Sequence, residues 1–321
     1  VDRDILVWDI TKGEGESLQE LETYFRQIWN EDCVQIKGGR KKNSSDISVS
    51  EEASDDSEGA ESNSKNSNIV NGIPNVENEI TDETQEKLSK YEKQYQSLEM
   101  RYASLKEKYT DIEDYSSWQE DTIPANKITL VNNGTHAGPK TPLVLQTIRY
   151  LAQNAENVTI QTPYVICNGY MYDTLNEIAS HAQLKIILNA VEKGSNPWGC
   201  TDYLNQKKKI LNTGADVYEL MNEVPVHTKA VLLDDRLSIV GSYNLDMRST
   251  YLDTELMLVI DSKELNQQIQ STEGTYIEKS KEVLSNGQET EGGQYETKEL
   301  NWQKKLFYGG LRIIIRPLRQ L

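Results

Sequence analysis

One short stretch of this sequence gathers residues able to do phosphoryl chemistry. His227, Lys229 and Asp234 stand in the string His227-Thr-Lys229-Ala-Val-Leu-Leu-Asp234, and Gly241-Ser242-Tyr-Asn244 follows, then Asp246, Arg248, Ser249 and Glu255. In an extended chain alternate side chains share a face, so His227 and Lys229 point one way and Thr228 and Ala230 the other. An imidazole can attack phosphorus, and a fixed ammonium beside it can hold a phosphoryl oxygen and stabilise the negative charge that develops. Ser242 and Asn244 fall just past the next strand, placed to donate hydrogen bonds to the same phosphate or to orient the imidazole. A strand histidine alone is ordinarily a core or surface residue, and His-x-Lys is frequent by chance. The specificity lies in the whole string: H-x-K-x4-D, with G-S-x-N beginning seven residues after the aspartate.

The elements that must position this string are legible on either side. Strand-like runs at 127–132, 157–162, 184–189 and 215–219 alternate with helix candidates at 142–155, 170–181 and 202–213, and Gly214 is placed to end the last helix. Alternation of this kind argues for a layered α/β domain. Three strand-like pieces follow at 226–234, 237–241 and 254–260, with Asp234-Asp235-Arg236 as the tight turn between the first two. At the other end of the chain, 4–9 reads as a strand and 16–30 as an amphipathic helix carrying Leu18, Leu21, Tyr24, Phe25, Ile28 and Trp29 at spacings of three and four.

Between these parts the composition changes. Residues 39–82 are rich in Ser, Asn, Asp and Glu, with too little apolar surface to offset the entropy of ordering, so a disordered insert is expected there. Over about 83–116 Leu88, Tyr91, Tyr95, Leu98, Tyr102, Leu105, Tyr109 and Ile112 alternate spacings of three and four, the seam of a heptad helix. Two uses are open for that seam: packing on the domain surface, which is favoured, or self-association. After a linker at 286–297, residues 298–321 interleave Trp302, Phe307 and aliphatic residues with Lys304, Lys305, Arg312, Arg316 and Arg319. Such a tail suits an anionic membrane surface, with Trp302, Phe307, Arg312, Arg316 and Arg319 as its contacts; docking on the domain is the alternative. Gly309-Gly310 and Pro317 predict two short helical pieces rather than one.

The formal charge of −17 is unevenly spread: Asp46–Glu61 holds seven carboxylates and no cation, whereas 298–321 holds six Lys/Arg and one Glu. Overall acidity argues against nucleic acid as the main partner. The three cysteines, Cys33, Cys167 and Cys200, are far apart, form no C-x-x-C pair, and fit a reducing compartment better than a disulfide or zinc framework. No apolar run reaches the ~18 residues that cross a bilayer as a helix.

The string around His227 resembles the signature of the phospholipase D superfamily. Gly241-Ser-Tyr-Asn-Leu-Asp-Met-Arg-Ser249 with Leu252-Asp-Thr-Glu255 is similar, more narrowly, to bacterial cardiolipin synthases. Gln161-Thr-Pro-Tyr-Val165, Leu188-Asn189 with Asn196-Pro197, and Tyr218-Glu219-Leu220 extend the resemblance, which covers about 125–262 well within a half-domain of 125–285. It implies a phospholipase D-like fold, a mixed sheet flanked by helices. It also implies phosphatidyl transfer through a phosphohistidine, with cardiolipin synthesis from phosphatidylglycerol as the reaction, at the cytoplasmic face of the cell membrane and without metal or other cofactor. His227, Lys229 and Asp234 would be catalytic, with Asn189, Ser242, Asn244, Asp246 and Glu255 binding phosphate or supporting. Lipid or other phosphodiester hydrolysis, or a non-catalytic membrane-binding half-domain, are the alternatives. The family pairs two such motifs at one site, but this sequence holds one, since neither His136 nor His181 has a lysine two residues on. Asp2-Arg-Asp4-Ile-Leu-Val-Trp-Asp9 echoes Asp253-Thr-Glu255-Leu-Met-Leu-Val-Ile-Asp261, so 1–38 reads as the remnant of a first half. The rest of that half, or a second copy of the chain, would then supply the missing motif.

Overall fold

The computed structural model describes residues 2–7, 15–29, 82–110, 120–284, 288–290 and 302–318. The chain divides into two compact units, Val1–Val34 with Thr122–Leu321, and Gln35–Asp121. Within the first, strands β1 (Lys127–Asn132), β2 (Asn157–Gln161), β3 (Gln183–Asn189), β4 (Asp216–Leu220), β5 (Ala230–Leu233), β6 (Leu237–Gly241), β7 (Leu256–Asp261) and β8 (Ser280–Val283) form one sheet in the order β1-β7-β6-β5-β2-β3-β4-β8. The helices are α1 (Glu16–Trp29), α2 (Asp82–Lys108, in the second unit), α3 (Leu143–Ala152), α4 (Gly169–Ala179), α5 (Pro197–Leu211), α6 (Met247–Tyr251), α7 (Lys263–Glu278) and α8 (Trp302–Leu318).

Only β2, β3 and β4 run parallel to one another. Parallel neighbours need long crossovers, and α4 and α5 provide them. The alternation seen in the sequence is the cause: Val158, Ile160, Leu184, Ile186, Leu188 and Val217 turn into one core with Leu145, Ile148, Leu175, Ile178 and Ile210 from the helices. The remaining pairings are antiparallel hairpins and returns, so the sheet is mixed. On the opposite face Ala230, Leu232 and Val240 meet Ile269 of α7, with Ile5 packed against the group.

Three expectations need correction. Residues 4–7 lie in no strand, and 8 and 9 fall outside the described residues. Ile5 packs over the sheet face there, and the segment makes no ladder with it. α5 begins five residues before its expected start because the Asn196 side chain accepts from the N–H groups of Trp198 and Gly199, with Pro197 opening the helix. The tail is one continuous helix through Gly309-Gly310. Tyr308, Leu311 and Ile315 are buried beside α5, and that packing outweighs the two glycines, worth ~1 kcal/mol each. The acidic segment 39–81, most of the linker, and Arg319 lie outside the described residues.

Both sheet edges are covered. Ser17 of α1 donates to the Ile128 carbonyl at 2.9 Å, and Glu20 accepts from the Leu130 N–H at 3.1 Å. At the other edge residues 288–290 turn back along β8, with bonds from Leu284 N to Gln288 O and from Thr290 N to Glu282 O. A buried ion network holds β8 in place: Glu219 accepts from Tyr203 at 2.7 Å and pairs with Lys207 at 2.8 Å and Lys281 at 3.2 Å.

Candidate active site

His227 and Lys229 sit on the extended segment that leads into β5, at the mouth of an open cleft of about 350 Å³. Asp2, Arg3, Gly241 and Ser242 also line it. The alternation expected from sequence holds, with Thr228 buried between the two. Lys229 Nζ lies 3.0 Å from each ring nitrogen of His227 and donates to the His227 carbonyl at 2.6 Å. His227 Nδ1 is 2.9 Å from the Asp2 carboxylate. The tautomer that satisfies these neighbours has Nδ1–H donating to Asp2 and the Nε2 lone pair facing the Lys229 ammonium, which must move off before the ring can attack. The His227 bond holds the Asp2 carboxyl below its usual range. Burial pulls the Lys229 ammonium down, while Asp2, Glu255 and Asp246 pull it back up, in that order. The ammonium is therefore partly desolvated, the condition in which it acts most strongly on an incoming phosphoryl oxygen.

Behind this pair lies a layer of polar groups. Ser242 donates its hydroxyl to Glu255 and accepts from the Leu256 N–H at 3.0 Å, so its proton is already committed. Gly241 must be glycine: a Cβ there would meet the Leu256 carbonyl at 2.1 Å. Asp246 caps α6 by accepting from Ser249 N at 2.7 Å, and burial pushes its carboxyl up to about 6. Burial raises Glu255 too, opposed by its hydrogen bonds to Ser242 and Ser249. Asn244 donates to Ser249 Oγ at 3.3 Å, and its Oδ1 has no partner among the described residues. Of these polar side chains only Ser242 lines the cleft. Asn189 spans Pro163 O and both backbone groups of Val226, a clamp that fixes the approach to His227.

Asp234 is not part of this mouth. It lies at the other end of β5, roughly 16 Å from Lys229 by strand rise. Its backbone is left-handed (φ 50°), and its carboxylate accepts from Glu156 N and Asn157 N at 2.9 Å each. Its place in the string reflects the demands of the β5–β6 turn, and the expectation of a catalytic Asp234 is corrected accordingly. His181 contacts the backbone carbonyls of Glu177 and Ala152. The residue missed by reading the motif is Asp2, 225 positions from its partner. The acidic echo between 2–9 and 253–261 was the available signal.

On α8, Trp302 (73% exposed) and Phe307 (54%) face outward as expected. Arg312 is also exposed; its guanidinium donates to Asn205 Oδ1 at 3.0 Å, and Asn205 donates back to its carbonyl. The Arg316 side chain and Arg319 lie outside the described residues.

Residues 147–272, which hold most of this sheet and the paired imidazole and ammonium, match the family described as cardiolipin synthase, PLD-like domain. Relatives include cardiolipin synthase A of Escherichia coli, 31% identical over 153 residues, which are 45% of this chain and 30% of that protein. The enzyme of the same name from Klebsiella pneumoniae is 30% identical over 142 residues, 43% and 27% of the two chains. The chain thus spans under a third of the length of these curated relatives. Among solved structures, the phospholipase D family member Nuc from Salmonella typhimurium aligns with TM-score 0.41 at 13% identity, over 49% of this chain and 98% of that one. Phosphatidylserine synthase of Haemophilus influenzae aligns with TM-score 0.45 at 19% identity, over 61% and 48%.

Proposed function

We propose that this chain supplies one of two motifs of a cardiolipin synthase-like phosphatidyltransferase that works through a phosphohistidine. The observation that carries the reading is the His227 ring held between the Asp2 carboxylate and the Lys229 ammonium. His227 Nε2 attacks the phosphorus of a phospholipid phosphodiester, an N–P bond forms, and the ester P–O bond to the departing alcohol breaks. Lys229 leaves the imidazole for a phosphoryl oxygen, and Asp2 balances the positive charge that the ring gains. An acid from the second motif protonates the leaving alkoxide. An acceptor alcohol, deprotonated by the same group, then attacks phosphorus and releases His227. The described lining of the cleft contains one imidazole, so the second must come from the rest of the enzyme or from another copy.

The same proposal places the enzyme at a membrane surface. No described helix is long and apolar enough to cross a bilayer. α8 instead keeps Tyr308, Leu311 and Ile315 against the domain and turns Trp302, Leu306, Phe307, Ile313 and Ile314 outward. That outer face, in a segment with six Lys/Arg and one Glu, suits the cytoplasmic face of an anionic membrane.

The test separates attack from proton donation. With bis-p-nitrophenyl phosphate the leaving group departs without a proton, so the isolated chain should release one equivalent of nitrophenolate. It should also acquire an acid-labile phosphoryl adduct on His227, while phosphatidylglycerol is not turned over. His227→Ala should abolish the adduct. No adduct in the wild-type chain, or one that survives His227→Ala, overturns the assignment.

A further inference from the structure

The second unit carries a feature that the chemistry above leaves unused. Along α2, Tyr91, Tyr95, Leu98, Tyr102 and Leu105, with Tyr109 just beyond, form one line at alternating spacings of four and three, and all six are 45–64% exposed. A straight α-helix drifts about 20° per heptad from a strict seven-residue repeat. A line that keeps that repeat matches the seam of a helix wound around another with the same period. A partner helix with a heptad repeat fits that line.

We infer that α2 is a self-association helix that pairs with α2 of a second copy of this chain. Three observations select that occupant. The first is size matching. Laid head to tail so that Tyr95 faces Leu105 of the second copy, the line also sets Tyr102 against Leu98. The four central layers then each combine one tyrosine with one leucine, large against small, which is how interdigitating layers fill space. The second is charge. Between Ser89 and Tyr109 there are five cations (Lys90, Lys93, Arg101, Lys106, Lys108) and three anions (Glu92, Glu99, Glu107), so this helix escapes the acidity that would drive two whole chains apart. In the head-to-tail arrangement Glu99 and Lys106 border the seam from opposite copies and, by symmetry, do so twice. The third is area. Aromatic side chains bury roughly 150–250 Å² each when covered. About half of each seam residue is open, so the six offer on the order of 600 Å² per helix. The pair then clears the ~1,000 Å² total that a specific interface needs.

The experiment is the mass of the whole 321-residue chain in solution, measured by light scattering and sedimentation equilibrium at micromolar concentrations. The expected result is twice 36.6 kDa. In Leu98→Glu/Leu105→Glu the mass should fall to that of one chain, with the melting temperature of the sheet unit unchanged. These residues are outside the catalytic cleft, so the His227 adduct serves as a separate readout and should persist in the variant. A wild-type chain of single mass overturns the inference, and so does a variant that remains dimeric. A monomeric wild type whose melting temperature falls on substitution would assign the seam to the chain's own domain instead.

Discussion

Glu273 lends itself to a quantitative test. It is 2% exposed on the inner face of α7, and its Oε1 has no partner among the described residues. Burial pushes its carboxyl from 4.5 to about 8, opposed only by the charge of Arg3. With the folded value raised, the stability contributed by the protonated form is complete below about pH 4.5 and is lost as pH rises towards 8. At about 1.4 kcal/mol per unit the full shift corresponds to an upper bound of ~5 kcal/mol, and relaxation around the charge brings the expected loss to ~2–3 kcal/mol. Glu273→Gln keeps the shape and abolishes the titration. In urea unfolding the variant and wild type should agree within ~1 kcal/mol at pH 5. The variant should gain steadily up to pH 8 and then level off. A difference that is flat from pH 5 to 9 would refute the buried, unpaired carboxyl. A variant that loses ground as pH rises would show that the charge is stabilised, with Arg3 closer to it than the structure has it.

Three further outcomes are expected. Asp234→Ala loses two hydrogen bonds and strains a left-handed residue; it should cost ~1–3 kcal/mol of stability yet leave the His227 adduct intact, whereas Asp234→Asn should recover much of that stability. Trp302→Glu/Ile313→Glu should release the chain from phosphatidylglycerol vesicles in a sedimentation assay, and wild-type attachment should weaken with salt; unchanged sedimentation would remove α8 as the contact. Deleting residues 44–72, which lack large apolar residues beyond Ile47, Val49, Ile69 and Val70, should leave the melting temperature of the sheet unit within ~2 °C; a larger fall would show that the segment packs.

What the sequence revealed and what it hid follow from range. β1, β3 and β6 appear within a residue of where their short apolar and β-branched runs put them, because such runs mark a strand locally. α6 and β8 have five and four residues, too few for any period to emerge. α6 exists through one cap, Asp246, and β8 through an ion network reaching back to Glu192 and Glu219. His227 and Lys229 were visible as neighbours. Asp2 was visible only as half of an internal echo, since no local rule links positions so far apart. Asp234 was misassigned because membership in a string says nothing about which end of a strand a residue occupies. The tail read as two pieces because glycine propensity is a local quantity, whereas the contacts of Tyr308 and Leu311 with α5 are not.

The covered edges of the sheet also bear on how the chain folds. The β8 edge is closed by residues only eight positions on, as in the bond from Thr290 to Glu282, so it can zip up as soon as that stretch is made. The β1 edge waits for Ser17 and Glu20, which are 111 and 110 residues from their backbone partners. Contacts so distant in sequence form late, after the entropy of closing a long loop has been overcome. Until α1 docks, β1 presents open N–H and C=O groups to any neighbouring chain. Refolding losses to aggregation should therefore rise with concentration and fall when α1 is tethered to β1, for example by a disulfide engineered between them.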